Sequence, residues 1–441
     1  MKPDVVVALV PGDKSVGIRA LLLALLATGP SQVRGLADSH ITSTTITALR
    51  TLGAEVVVRT RPSRGVVAGA VDVTITPPRT LRAGTTIDCR GSATLARLLL
   101  GLLVGRNVEA TVVGSEMLSR RPMARVAAPL AAFFGRPVVA LTNGCLPAQI
   151  ITGDVHRVGD DVIRPGDSAQ VRSAVMFAAV AAGRALTLWS NRPGRRHTEQ
   201  LLRWLNVDVV DDDALDGRPR RTSLSAVAAV PPIHLDVPGD PSAAAFLEGL
   251  AALRGAAELD IVGLLDDEER TGFRRALGRM RKAGGLRGIV VDKDAIADLV
   301  DEVPILAAVC AAASSPSTLR GLTELRVKES DRLARIVDLL TAFGVRATVN
   351  SDDDLHIVPG PWAAPTAPIC TDHDHRLAMT ALVMATHAGV AVTLDDDLCV
   401  DDSWAGFAGV DGQLAAVAEA LGVPSSSRGA SRVTSAFPDG R

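Results

Sequence analysis

The sequence predicts an α/β protein of two halves, with about six units of strand, polar turn and buried helix, three to each half. Three observations lead there. The chain has 441 residues with 47% hydrophobic content, more than a single domain core needs. A polar opening followed by an Ala- and Leu-rich run recurs along it at spacings of roughly 60–80 residues, as an internal duplication would leave. Strand-like runs lie between the openings.

The first opening, "PGDKSVGIRALLLALL" from Pro11, sets the pattern of a turn, an Asp able to cap, and a helix apolar enough for deep burial. It is echoed by "PGDSAQVRSAVMFAAVAA" from Pro165 and "PGDPSAAAFLEGLAAL" from Pro238. Looser relatives are "CRGSATLARLLLGLLVG" from Cys89, "DEVPILAAVCAAA" from Asp301 and "DHDHRLAMTALVMATHAG" from Asp372. Strands are expected at "AEVVV" (Ala54 to Val58), "VDVTIT" (Val71 to Thr76), "VEATVVG" from Val108 and "VAVTL" from Val390. The second half restarts near "HLDVPGD", His234 to Asp240. The polar, Ser/Gly/Arg-rich end predicts a disordered tail over 423–441.

Composition narrows the function. A net charge of −2 excludes a globally basic nucleic-acid binder, and Trp189, Trp204, Trp362 and Trp404 are too dispersed for a stacking platform. The five cysteines are odd in number and scattered, which suits a reduced, cytoplasmic protein. The N-terminus lacks signal-peptide architecture, and no apolar run reaches the ~18–20 residues of a membrane span, so no membrane partner is expected. His40, His197, His356, His373, His375 and His387 lack metal spacing, and the carboxylates of "DDDLCVDD" would scatter on a strand and turn. No metal or cofactor is expected.

The first turn of a helix offers unpaired N–H groups and a positive dipole end, so six such mouths around one cleft would trap anions. Basic residues stand at or near them: Lys14, Arg19, Arg97, Arg120, Arg121, Arg172, Lys328, Arg332 and Arg376. The expected ligand is small and multiply anionic, carrying phosphate and carboxylate. "LRVKESDRLARI" brings Lys328, Glu329, Asp331 and Arg332 together before a helix that Ser330 could cap.

These stretches resemble the enolpyruvyl transferases, in particular the 5-enolpyruvylshikimate-3-phosphate (EPSP) synthase family. The matching motifs are "PGDKSVGIRALLLA", "RPM" at Arg121 to Met123, "SAQVRSA" from Ser168, "HTEQLL" from His197, "VPGDPSAAAF", "DEVPILA", "LRVKESDR" and "DHRLAM" from Asp374. They run in family order over nearly the whole chain. The resemblance implies a two-domain inside-out α/β barrel, each domain made of three βαβαββ units and closing on substrate by a hinge. It places the first domain at 13–235 and the second at 1–12 plus 236–422.

The resemblance also implies a substrate, shikimate 3-phosphate or a close phosphorylated cyclohexene carboxylate. Ser168, Gln170 and Ser190 match phosphate-binding positions, and Lys328 matches a lysine that completes them on closure. Ser15 and Arg19 match residues holding the ring substituents and carboxylate. Asp301 matches a carboxylate that bonds the ring hydroxyls and acts as base; Lys14 matches a lysine between the two substrates. His375, in the DHR motif, is expected to orient Arg376.

The phosphoenolpyruvate (PEP) side departs from the family. "GNAGT" is here "RGSAT", residues 90–94, so Gly91 replaces an asparagine and Ala93 a glycine. Asp402 replaces a lysine that contacts PEP. At an effective dielectric of ~20 and ~4 Å, each unit of charge there is worth on the order of 4 kcal/mol before screening. Arg121, Arg332 and Arg376 remain. Either a second anion still binds them, or Asp402 fills the vacated space and pairs with them, which is the expectation adopted. It leads to PEP-independent 1,4-elimination of phosphate, giving a conjugated cyclohexadiene carboxylate, with Asp301, Lys14 or Glu329 as base. The alternatives are carboxyvinyl transfer from PEP, with Lys14, Asp301 and Glu329 moving protons, and a non-catalytic metabolite-binding protein.

Overall fold

The computed structural model describes residues 5–154, 162–166, 168–190, 195–212, 220–255, 258–265, 270–282, 285–409 and 411–422. The expected tail at 423–441 and residues 1–4 lie outside the described residues. Each of the six openings begins a helix: Lys14–Leu25, Ala93–Gly105, Ala169–Ala182, Pro241–Leu253, Val303–Ala311 and His375–Ala388. Asp13, Ser92, Asp240 and Asp374 each accept a first-turn backbone N–H through the side chain, which fixes where four of these helices start. Ser168 and Glu302 stand at the cap positions of two others without such a bond.

Helices apolar on every side must be covered on every side. One hydrophobic cluster gathers the first three helices with residues from Val16 to Val237; a second gathers the last three with Ala8, Val10 and residues 243–418. The helices Ala93–Gly105 and Ala169–Ala182 pack backbone against backbone. A Cβ on Gly101 would lie 2.0 Å from the Ala174 carbonyl oxygen, and one on Gly105 2.4 Å from that of Ala178, so only glycine admits this contact.

The sheets form the outer layer: Ala70–Thr76, Cys145–Ile150 and Leu186–Ser190 bury every second residue, while the edge strand Glu55–Arg61 is exposed over nearly its whole length. Thr85–Asp88 pairs parallel with Ala110–Val113, which pairs antiparallel with Cys145–Ile150, itself antiparallel to Val139–Thr142. The same four-stranded order recurs in His234–Asp236, Ser31–Ala37, Ala70–Thr76 and Glu55–Arg61, and in Val162–Ile163, Leu186–Ser190, Arg220–Leu224 and Val209–Asp212. In the second half Val290–Val291, Ser317–Leu319, Leu355–Val358 and Arg346–Val349 repeat it.

Among the described residues the rest of the second half carries fewer paired strands. Within them Val5–Ala8 pairs parallel with Glu258–Ile261 in a two-stranded sheet. The strand expected at Val390–Leu394 is only an isolated bridge between Leu394 and Ile369. Its partner is too short to extend the ladder, since Pro368 has no N–H and the chain beyond Thr371 turns into the His375 helix.

Two chain segments cross between the halves side by side. Gly12 and Gly239 form an antiparallel bridge; the Asp13 N–H donates to the Pro238 carbonyl (2.7 Å) and the Asp240 N–H to the Pro11 carbonyl (2.9 Å). Among the described residues no helix is long and apolar enough to cross a membrane.

Candidate active site

The head of the Lys14–Leu25 helix places Lys14 and Ser15 in half-buried positions, with Arg19 buried one turn later. Arg19 donates to the Thr198 hydroxyl (2.8 Å), the Ser173 hydroxyl (3.0 Å) and the Ser15 carbonyl (2.9 Å), all neutral partners. Burial pulls it down to about 10, against the upward pull of Glu199 and Asp13. Arg97 is similar: buried, hydrogen-bonded to the Gln170 amide oxygen, and lowered to about 10 by burial and by the nearby Arg121 and Arg125. Among the described residues neither arginine, nor Lys14, has a carboxylate within 4.0 Å. Buried cations held by neutral groups retain a strong attraction for an anion.

Burial also lowers Lys14, helped by Arg376 and opposed by Asp240, Glu329 and Asp301. Gln170 bridges Arg97 and the Thr94 hydroxyl, to which it donates at 2.9 Å. Ser168 is half-buried at the start of its helix, and Ser190 is buried at the end of its strand.

The second half supplies the facing wall. Asp301 lies 2.6 Å from Arg195, 3.6 Å from Arg332, 3.8 Å from Lys328 and 3.9 Å from Arg376. Burial alone would raise its carboxyl, but Arg195, Arg376, Lys328 and Arg332 hold it well below the usual range. Glu329 pairs with Arg332 (2.5 Å) and with Arg121 across the cleft (3.5 Å); these cations keep it ionised against the effect of burial. Arg332 is also held by Asp374 at 2.8 Å, and Arg376 donates to the Asp301 carbonyl at 2.9 Å. Lys328 reaches Glu324 at 2.5 Å.

Arg121, Arg332 and Arg376 are thus brought together around Glu329 and Asp301, but Asp402 does not join them. It lies on the short helix Leu398–Asp402 and meets His40, the first residue of the His40–Thr51 helix, at 3.1 Å, with 44% of its side chain exposed. The pairing expected with the arginines is therefore corrected: the turn carrying Asp402 aims it at a different helix. Gly91 is exposed with open space beside its Cα, and Ala93 is buried in the first turn of its helix. Arg120 points away and pairs with Glu116, while Arg172 is neutralised by buried Glu199 at 2.6 Å. Asp331, not Ser330, caps the Arg332–Ala342 helix; the Ser330 hydroxyl donates to Asp374 instead. The His375 ring is buried with Nε2 unpartnered, so no hydrogen bond from that nitrogen orients Arg376.

Arg195 lies in none of the motifs legible in the sequence, although it grips Asp301. It lies just before the motif that begins at His197, whose second residue, Thr198, holds Arg19. Away from the cleft, Cys370, Asp372 and Asp395 gather within 4.8 Å, with Asp395 already accepting from Thr371 and the Asp372 N–H.

The family profile described as EPSP synthase (3-phosphoshikimate 1-carboxyvinyltransferase) matches residues 6–410. The chain is 36% identical over 419 residues to the 3-phosphoshikimate 1-carboxyvinyltransferase of Acidiphilium cryptum, covering 90% of this chain and 92% of that protein. It is 35% identical over 420 residues to the protein of that name from Granulibacter bethesdensis, covering 90% and 91%. A solved EPSP synthase from Acinetobacter baumannii superposes with a TM-score of 0.67 at 28% identity, covering 86% of this chain and 88% of that one. Fold, motif order and sequence agree: this chain is a member of the EPSP synthase family.

Proposed function

We propose that this protein transfers the enolpyruvyl group of PEP to a hydroxyl of shikimate 3-phosphate, or of a close cyclohexene carboxylate phosphate, releasing inorganic phosphate. The observation that carries this reading is the placement of Asp402 on His40, which leaves Arg121, Arg332 and Arg376 without an internal carboxylate from that position. The relatives named above are carboxyvinyltransferases, and PEP-independent elimination finds no support among them.

In this reading Ser168, Gln170, Ser190 and Lys328 bind the acceptor's phosphate, and Ser15 and Arg19 its ring substituents and carboxylate. Arg121, Arg332 and Arg376 hold PEP. The central carbon of PEP becomes electrophilic as its methylene takes a proton; the acceptor hydroxyl attacks and loses its own. Removing a proton from the new methyl then expels phosphate, so one C–O bond forms and one breaks. Lys14, Asp301 and Glu329 are the titratable groups lining the cleft where these protons move. Asp301 and Glu329 are fixed as anions by their cations, whereas Lys14 is shifted toward neutrality, the direction proton transfer requires. The two hydrophobic clusters suit two bodies, 13–235 and 1–12 with 236–422, closing through Arg195–Asp301 and Arg121–Glu329.

The test is phosphorus NMR and ultraviolet absorbance on protein with shikimate 3-phosphate, with and without PEP. Phosphate and an enolpyruvyl ether are expected only with both substrates. Phosphate release from shikimate 3-phosphate alone, with a conjugated-diene band, would overturn the proposal; binding of both without turnover would leave a binding protein.

Asp402→Asn is expected to alter kcat/KM for PEP by less than about threefold, since an exposed, screened pair contributes little. A change of a hundredfold in a steady-state titration with PEP would mean that Asp402 reaches that substrate.

A further inference from the structure

Arg270 belongs to none of the motifs that mark the cleft, yet it is buried against them. One guanidinium nitrogen, Nη1, donates to Asp13 Oδ2 at 2.9 Å and lies 3.2 Å from His197 Nε2. The other, Nη2, donates to Asp240 Oδ1 and to the Ser242 hydroxyl, each at 2.8 Å. Asp13 and Asp240 are the caps of two cleft helices and stand at the paired crossover between the halves. Arginine has donors only, so His197 Nε2 must accept and its proton must sit on Nδ1. Burial, then Arg270, Arg19 and Arg195, keep that ring neutral.

Each partner leads to a group at the cleft. Asp13 precedes Lys14. His197 precedes Thr198, which holds Arg19. The Ser242 hydroxyl, accepting from Arg270, donates to Glu302, the neighbour of Asp301. Glu302 lies 3.7 Å from Arg195, whose other nitrogen grips Asp301. A single planar group thus links the starts of the helices at Lys14, His197, Pro241 and Val303.

We propose that Arg270 is a positioning residue, a clasp that locks the two crossover segments together and so sets Lys14 and Arg19 against Asp301. Its kinetic consequence rests on the transferase reading above. Lysine keeps the charge but presents one compact ammonium, which cannot reproduce the fork between Asp13 and Asp240. Without any cation there, two buried carboxylates would face each other.

The experiment compares wild type, Arg270→Lys and Asp240→Asn, the last keeping a capping side chain while losing charge. Steady-state kinetics are combined with hydrogen exchange on the substrate-free proteins. For Arg270→Lys, kcat is expected to fall roughly 30- to 100-fold, the scale of a small misplacement, with KM for shikimate 3-phosphate changed less than about threefold. Exchange is expected to quicken at the helix starts after residues 13, 196, 240 and 302, while Ala93–Gly105 stays protected. Asp240→Asn is expected to show the same pattern at smaller amplitude, and decides the matter if Arg270→Lys does not fold. Unchanged kcat, or exchange that quickens uniformly, overturns the clasp. A wild type inactive toward both substrates sinks the transferase reading, while exchange at the four helix starts still decides the clasp.

Discussion

Lys14→Met is expected to lower turnover on the order of a thousandfold while raising the melting temperature of the substrate-free protein. The opposite signs follow from one fact: Lys14 is driven toward its neutral form chiefly by burial, with Arg376 adding repulsion that Asp240, Glu329 and Asp301 do not offset. A lysine whose pKa is lower folded than unfolded is disfavoured as a cation in the fold. That cost is present in full below the folded value and fades as pH rises from there toward the unfolded value near 10.5. Methionine retains most of the buried chain and removes the charge. Its stabilisation should therefore be clear at pH 7 and shrink in alkaline solution.

The activity loss reflects removal of the site group best matched to give and take protons, typically worth about 10²–10⁴. Phosphate-release kinetics and thermal unfolding at pH 7 and pH 10 check both parts. A variant that is inactive and also less stable would show that Lys14 is held by its acidic neighbours rather than strained among cations.

The six cleft helices were legible because local rules decide them. Apolar character on all faces demands burial, and Asp13, Ser92, Asp240 and Asp374 mark helix starts by their own capping chemistry. Convergence of basic residues was legible for Arg19, Arg97 and Arg376, which stand in the first two turns of those helices, and for Arg121, Lys328 and Arg332, which lie in the "RPM" and "LRVKESDR" motifs. Arg120 instead faces Glu116, an i,i+4 partner that the spacing itself offers, and Arg172 faces Glu199, 27 residues away, which no spacing marks. Asp402 was misplaced for the same kind of reason: its position in a motif says which turn carries it, and the turn's orientation sends it to His40. Arg270 could not be read at all, because its partners Asp13 and Asp240 lie 257 and 30 residues away and no periodicity ties them to it.

Asp301→Asn should be the most damaging isosteric change in the cleft, and an added anion should repair its stability but not its activity. Asp301 is the carboxylate that Arg195, Lys328, Arg332 and Arg376 share within 4.0 Å. Their losses are unequal. Arg332 keeps Asp374 and Glu329, Lys328 keeps Glu324, and Arg376 keeps the backbone carbonyl of residue 301. Arg195 keeps Glu302 only at 3.7 Å, so it is the cation left most exposed. Removing one member of such a largely buried network costs about 3–5 kcal/mol, and inorganic phosphate at the cleft should return part of it. The melting temperature of Asp301→Asn should accordingly rise more with phosphate than that of wild type. The pH dependence has a definite sign. A carboxyl held below its unfolded value contributes stability above about pH 4 and loses it as pH falls toward the folded value. Wild type should therefore lose stability more steeply than Asp301→Asn as pH drops below about 4. Equal slopes in acid unfolding curves, or equal phosphate responses, would mean that Asp301 does not bear the charge balance of the cleft.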